Sequence, residues 1–84
     1  MNIKVCYFAR FREKLGVQQE YIELAEGSQV AQLLQQLAQR EGVWAELFAC
    51  PERVLVAINQ DMSHLQAQIN QGDEVALFPP VTGG

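Results

Sequence analysis

The residues of this chain best placed to do chemistry stand at its end, in "LFPPVTGG", Leu77 to Gly84. An apolar run passes through two prolines and stops on two glycines. Pro79 and Pro80 have no N–H and fix φ, so a sheet ladder must stop near Phe78. They also stiffen the backbone beyond Phe78, which carries Val81, Thr82, Gly83 and Gly84 away from the body. Extended at ~3.1–3.3 Å per residue, the stretch from Pro79 to Gly84 would reach on the order of 19 Å. Gly83 and Gly84 have no side chain. A channel only as wide as a backbone can therefore admit them and bring a terminal carboxyl to a buried reactive centre. The competing reading is a frayed end, since a Gly-Gly terminus arises by chance in roughly one chain in 200. Placement after a stiff diproline, directly off the last strand, favours a working tail.

Other groups with chemical potential are scattered. Cys6 and Cys50 lie far apart and form no CxxC or metal-spaced pair. They read as two reduced, half-buried thiols, with a disulfide or a sulfur relay as alternatives. His64 is the single histidine, with no nucleophile or metal ligand at a telling spacing, and reads as a solvent-facing turn residue. No metal site is expected. Arg10, Arg12 and Lys14 hold half of the six Lys and Arg residues. They form either a solvated helix face or a docking spot for an acidic patch on a partner. Asp73 and Glu74 suit a turn and a strand entry.

Composition narrows the class. At 84 residues and 49% apolar content the chain can fold as one domain with a modest core. A net charge of −4 argues against nucleic acid as the main partner, because phosphate binding needs a basic face. The opening "NIKVCYFA" is too short to span a bilayer and carries Lys4 within it, so neither membrane insertion nor a leader is expected and the chain reads as cytoplasmic.

The elements that must carry the tail can be read from periodicity. "IKVCYFA" is a strand with Ile3, Val5 and Tyr7 on one face and Cys6 and Phe8 on the other. Phe11 and Leu15, four apart, suit a short helix ended by Gly16. Gln19 to Gly27 alternates as a returning strand, with Ile22 and Leu24 in one row and Glu26-Gly27 closing it. Val30, Leu33, Leu34, Leu37 and Ala38 make one buried helical stripe, and glutamines cover the opposite side. That helix should run from about Gln29 to Glu41, with Ser28 as N-cap and Gly42 at the C′ position. Trp44, Leu47 and Phe48 give a short helical or looped cover for the core. "RVLVAIN" is a strand, "QDMSH" a turn, and Gly72-Asp73 turns into a last strand, Glu74 to Phe78.

One amphipathic helix with about four to five strands is most economically an α+β fold, a mixed sheet with the long helix packed across one face. The helix is a crossover of the kind right-handed βαβ geometry requires if its flanking strands are parallel. That order is the β-grasp of ubiquitin, with residues 1–78 as the domain and 79–84 as the extended tail. If Val75 and Leu77 face the helix, Ala76 and Phe78 lie on the outer face, joined by Phe8 and Cys6. Such a patch marks a partner interface, made by Phe8, Ala76 and Phe78, unless another strand or loop covers it.

Three stretches in order, "ARFREKLG", "VAINQD" and "GDEVALFPPVTGG", make the chain resemble the MoaD family, the small subunits of molybdopterin synthase. The likeness covers the whole length, and the C-terminal motif is its most specific part. The related thiamine sulfur carriers also end in Gly-Gly but are usually shorter and lack the diproline. The resemblance implies a sulfur carrier. A free carboxylate is a poor acyl donor, so an adenylyltransferase resembling the ubiquitin activators spends ATP to adenylate Gly84, making AMP the leaving group. Sulfur from a persulfide donor then displaces AMP and leaves a thiocarboxylate. The tail, Pro79 to Gly83, enters the synthase large subunit, and Gly84 gives its sulfur to cyclic pyranopterin monophosphate. Two loads serve one dithiolene, in a heterotetramer of two small and two large subunits. The resemblance further implies that the small subunit binds no cofactor of its own and that catalytic side chains belong to the large one. Two other readings stay open: a ubiquitin-like modifier joined through Gly84 to a target lysine, and a carrier for another pathway such as thiamine synthesis. A stand-alone enzyme fits poorly.

Overall fold

The protein is described by a computed structural model covering residues 1–80. Five strands form one sheet: β1 (Asn2–Tyr7), β2 (Gln19–Glu23), β3 (Leu55–Ile58), β4 (Asp61–Met62) and β5 (Glu74–Phe78), in the order β2-β1-β5-β3-β4. Three helices accompany them: α1 (Ala9–Leu15), α2 (Val30–Ala38) and α3 (Val43–Phe48), and a 3₁₀ turn, Pro51–Arg53, leads into β3. β1 and β5 are paired in parallel at the centre, and the other pairings are antiparallel. β2 and β3 therefore run in the same direction with two strands between them, and α2 crosses from one to the other. This is the expected mixed sheet and β-grasp order.

The alternation along the strands sets what is inside. Ile3, Val5 and Tyr7 of β1 and Val75 and Leu77 of β5 are buried, and so are Val30, Leu33, Leu34 and Leu37 of α2. The helix stripe and the inner sheet face thus make one core, closed at one end by Phe11 and Phe48, whose rings meet edge to face at 5.1 Å. α1 ends where Gly16 takes φ +71°, its N–H donating to the Arg12 carbonyl.

Several boundaries differ from the sequence reading, each for a local reason. β1 stops at Tyr7 because Ala9 already begins α1, and β2 and β3 are likewise shorter than their apolar patterns. α2 starts at Val30 with Gln29, not Ser28, as N-cap; the Gln29 N–H donates to Gln32 Oε1 at 2.7 Å. The Ser28 hydroxyl instead donates to the Ala25 carbonyl at 2.6 Å. The helix does not need a serine cap, because a distant loop meets its open N–H groups. Val30 N–H donates to the Ala67 carbonyl and Ala31 N–H to the Leu65 carbonyl, at 3.0 and 2.9 Å. That loop is pinned by Ile69, which is fully buried and donates its N–H to the Ser28 carbonyl. At the other end α2 closes at Ala38, and Glu41, with φ +65°, takes the left-handed position expected of Gly42. Gly42 serves as N-cap of α3, at φ +59° and ψ −135°, a backbone region open essentially to glycine alone.

"QDMSH" is not simply a turn. Asn59 and Gln60, at φ +51° and +74°, form the two-residue turn of a hairpin, and Asp61–Met62 is a short strand on β3. Asn59 is locked by its side chain: Nδ2 donates to Asp73 Oδ1 at 3.0 Å, and Oδ1 accepts from the Glu74 N–H. Asp73 also accepts from the Asn70 N–H, so it does serve the turn that launches β5.

Candidate functional site

β5 is the central strand of the sheet, so the chain leaves the fold from its middle, flanked by β1 and β3. The register places Cys6 beside Ala76, Leu55 beside Phe78 and Ala57 beside Ala76. On the outer face, away from α2, these residues join Phe8 at the end of β1. The rings of Phe8 and Phe78 stack with centroids 4.7 Å apart and planes 14° from parallel. Phe8 is 39% exposed and Phe78 half-buried, each ring lying against the other. Ala76, also half-buried, continues the patch, so all three sequence-derived interface residues come together at the root of the tail.

A backbone outlier sets the position of Phe8. Ala9 has φ +53°, a left-handed conformation that costs a non-glycine residue on the order of 1 kcal/mol. It turns the chain from strand to helix directly after Phe8, while the Phe8 N–H donates to the Leu77 carbonyl and its carbonyl accepts from Phe11 N–H.

Two apolar residues of this face were not among the sequence candidates. Leu55, paired with Phe78, is 39% exposed and Met62 is 68% exposed; Met62, with Cys6, Ala57 and the Phe8–Phe78 pair, lines a depression. The alternation in "RVLVAIN" held the signal for Leu55, which is out of phase with buried Val54 and Val56. Met62 carried no signal, because its neighbourhood exists only once β4 folds back on β3.

The two thiols are free, but unlike each other. Cys6, beside Ala76, is buried and its Sγ donates to Glu74 Oε2 at 3.8 Å. Burial first, and then the Glu74 carboxylate, push its pKa up, the reverse of what a reactive thiolate needs. Cys50 is exposed, so the expectation of two half-buried thiols holds for neither. His64 is exposed in the loop after β4, as expected of a turn residue. Among the described residues no group of three His, Cys, Asp or Glu side chains could hold a metal, and no helix is long and apolar enough to cross a membrane.

Behind the tail root, on the helix side, lies a second depression of about 440 Å³. Pro79 and Pro80 form part of its wall and are half-buried, so the first two residues of the expected free arm belong to the protein surface. The basic run divides here. Arg10 faces this depression, together with Arg53, whereas Arg12 lies beside Phe8, Gln18 and Gln19 on the other side of α1. Val81, Thr82, Gly83 and Gly84 lie outside the described residues.

Comparison with known proteins agrees with this architecture. A family model described as the ThiS family matches residues 5–84. The molybdopterin synthase sulfur carrier subunit of Haemophilus influenzae is 41% identical over 83 residues, covering 98% of this chain and 99% of that protein. A solved structure of a molybdopterin converting factor, subunit 1, from Pyrococcus furiosus superposes with a TM-score of 0.77 at 35% identity, over 95% of this chain and 98% of that one. A small archaeal modifier protein 3 from Haloferax volcanii is 28% identical over 92 residues, spanning both chains in full.

Proposed function

The chain belongs to the ThiS family, and on that premise we propose that it is the sulfur carrier subunit of molybdopterin synthase. The observation that carries this reading is the exposed Phe8–Phe78 stack at the root of a tail that ends in Gly-Gly. A partner that draws in the tail must pass over this stack, and an accessible aromatic pair beside a narrow, side-chain-free end supplies both a grip and an insert.

The chemistry follows from the carboxyl group. In this reading Gly84 is the terminal residue, and a carboxylate's charge and oxide leaving group resist nucleophiles. A ubiquitin-activator-like adenylyltransferase attaches the Gly84 oxygen to the α-phosphorus of ATP and releases pyrophosphate. A persulfide donor then attacks the acyl carbon and AMP leaves, giving an acyl disulfide; a second thiol attacks the donor-side sulfur, forming a disulfide with it and releasing the thiocarboxylate. The loaded chain docks on the synthase large subunit, its tail Pro79 to Gly84 reaching the bound cyclic pyranopterin monophosphate. Phe8, Ala76 and Phe78 form the docking face. ATP is spent by the activating partner, the carrier holds no cofactor, and the reaction sequence runs in the cytoplasm.

Intact mass of the protein isolated from its own cell tests the proposal. A species in which one oxygen is replaced by sulfur, lost when Gly84 is removed, is the expected result. Likeness to a small archaeal modifier supports a second reading, in which Gly84 is joined to a lysine of a target. That reading requires Gly84 to be found in isopeptide linkage after proteolysis, and no sulfur-containing form.

A further inference from the structure

The tail root has two unlike sides. The outer side is the apolar stack already described. The helix side is the depression whose wall includes Pro79 and Pro80, with Phe11, Leu47 and Val54 contributing apolar surface. Two arginines from separate parts of the chain, Arg10 of α1 and Arg53 of the 3₁₀ turn, converge on it, against a single acid, Glu46.

These arginines are exceptional in a protein of net charge −4 with six Lys and Arg residues in all. Arg40 is engaged in a bidentate pair with Glu20, at 2.9 and 3.0 Å. Among the described residues Arg10 and Arg53 form no ion pair, with Glu46 or any other acid. Two exposed guanidiniums beside an apolar floor match a carboxylate that brings its own apolar neighbour, because each can donate paired hydrogen bonds to it.

We propose that this groove receives an acidic segment of the synthase large subunit, so that the tail root is held from both sides. The inference rests on the sulfur-carrier reading. A partner that leads the tail to a buried centre must wall it on the groove side as well as over Phe8 and Phe78. The groove is continuous with that path through Pro79 and Pro80. Arg10 and Arg53 then set the orientation of docking and make it sensitive to salt, while the aromatic stack supplies the uncharged contact.

The test compares two double variants of the full chain that each lower net charge by two. Arg10→Gln with Arg53→Gln removes the groove charges. Gln35→Glu with Gln39→Glu adds acids on the solvated face of α2 and at its C-cap, away from the tail. Affinity for the purified large subunit is measured at low and high salt, with thermal unfolding to confirm that each variant is folded. The groove variant should bind about tenfold more weakly or worse at low salt, with the deficit shrinking as salt rises. The α2 variant should stay within about twofold of the unaltered chain. Restoring charge with Arg10→Lys and Arg53→Lys should recover part of the loss. Equal losses in the two variants would mean a net-charge effect and overturn the proposal, as would unaltered binding of the groove variant. A deficit seen only with the adenylating partner would overturn the assignment to the large subunit. If the unaltered chain does not bind the large subunit at all, the sulfur-carrier reading itself fails.

Discussion

Each end of the tail region makes a distinct demand on single residues. At Gly84 the demand is a free carboxyl. With ATP and the adenylating partner the unaltered chain should form an acyl-adenylate, whereas a chain extended by one residue past Gly84 should form none at that carbon. Pyrophosphate exchange measures this, and normal exchange by the extended chain would remove Gly84 from the mechanism. At Phe78 the demand is a surface. Its ring is half-buried, stacks on Phe8 and is not part of the core cluster, so Phe78→Ala should cost the fold only about 1 kcal/mol, the scale of one aromatic pair. Binding to the large subunit should weaken by about 2 kcal/mol or more, as for an aromatic anchor. Thermal unfolding and affinity measured on the same variant separate the two. A stability loss of core size, with unchanged affinity, would contradict the docking role.

Among the elements, α2 and its contacts decide stability. Leu34 is fully buried in the stripe against the sheet, so Leu34→Ala should cost roughly 2–5 kcal/mol by leaving a cavity. Chemical denaturation gives the value directly. The C-terminal end of α2 is joined to the sheet edge by a polar cluster that no periodicity reveals. Arg40 pairs with Glu20 of β2, the Tyr7 hydroxyl of β1 donates to Glu20 Oε2 at 2.7 Å, and the Arg40 guanidinium lies 4.4 Å from the Trp44 ring of α3. Burial alone would raise the Glu20 pKa, but hydrogen bonds from Arg40 and Tyr7 outweigh it and hold the carboxyl below 4.5. Burial first, and then the hydrogen bond to the Glu20 carboxylate and its charge, push the Tyr7 phenol far up, against the opposing charge of Arg40. Because the folded state holds the Glu20 carboxyl below its unfolded value, the stabilisation is complete above about pH 4.5. It is lost as pH falls through the lower, folded value. Glu20→Gln should therefore lower stability by about 1 kcal/mol at neutral pH and flatten the acid side of the stability curve. Parallel curves for the variant and the unaltered chain down to pH 3 would show that the pair contributes nothing.

For the molecule as a whole, fold and function separate along the chain. The core is closed by residues up to Leu77, and in the proposed function the chemistry belongs to the Gly84 carboxyl. Deleting Gly83 and Gly84 should leave the melting temperature nearly unchanged, since two terminal glycines have no side chain to bury. Sulfur transfer to the pterin substrate should nevertheless vanish. Calorimetry and a coupled transfer assay on one preparation check both halves, and a marked drop in melting temperature would show that the tail end is packed.

How much of this was legible in the sequence depends on the range of the interactions involved. Period-two and period-3.6 patterns report local burial, so the β1, β5 and α2 faces, the Glu74–Phe78 strand and the α+β order were readable from the residues alone. The diproline and Gly-Gly, being covalent constraints on the backbone, raised the expectation of a tail without any fold. Contacts made across the chain were not readable. The cap of α2 went to Gln29 and to carbonyls from the loop around Ile69, because a helix end accepts whichever partners the tertiary structure brings. Leu55 and Met62 joined the outer apolar face only through the pairing of β3 with β5 and β4. Arg10 and Arg53, 43 positions apart in the chain, face one groove for the same reason. Local pattern told which side of each strand turns inward; only the order of strands in the sheet decided which outward residues stand together, because neighbours across a sheet are set by topology and not by separation along the chain.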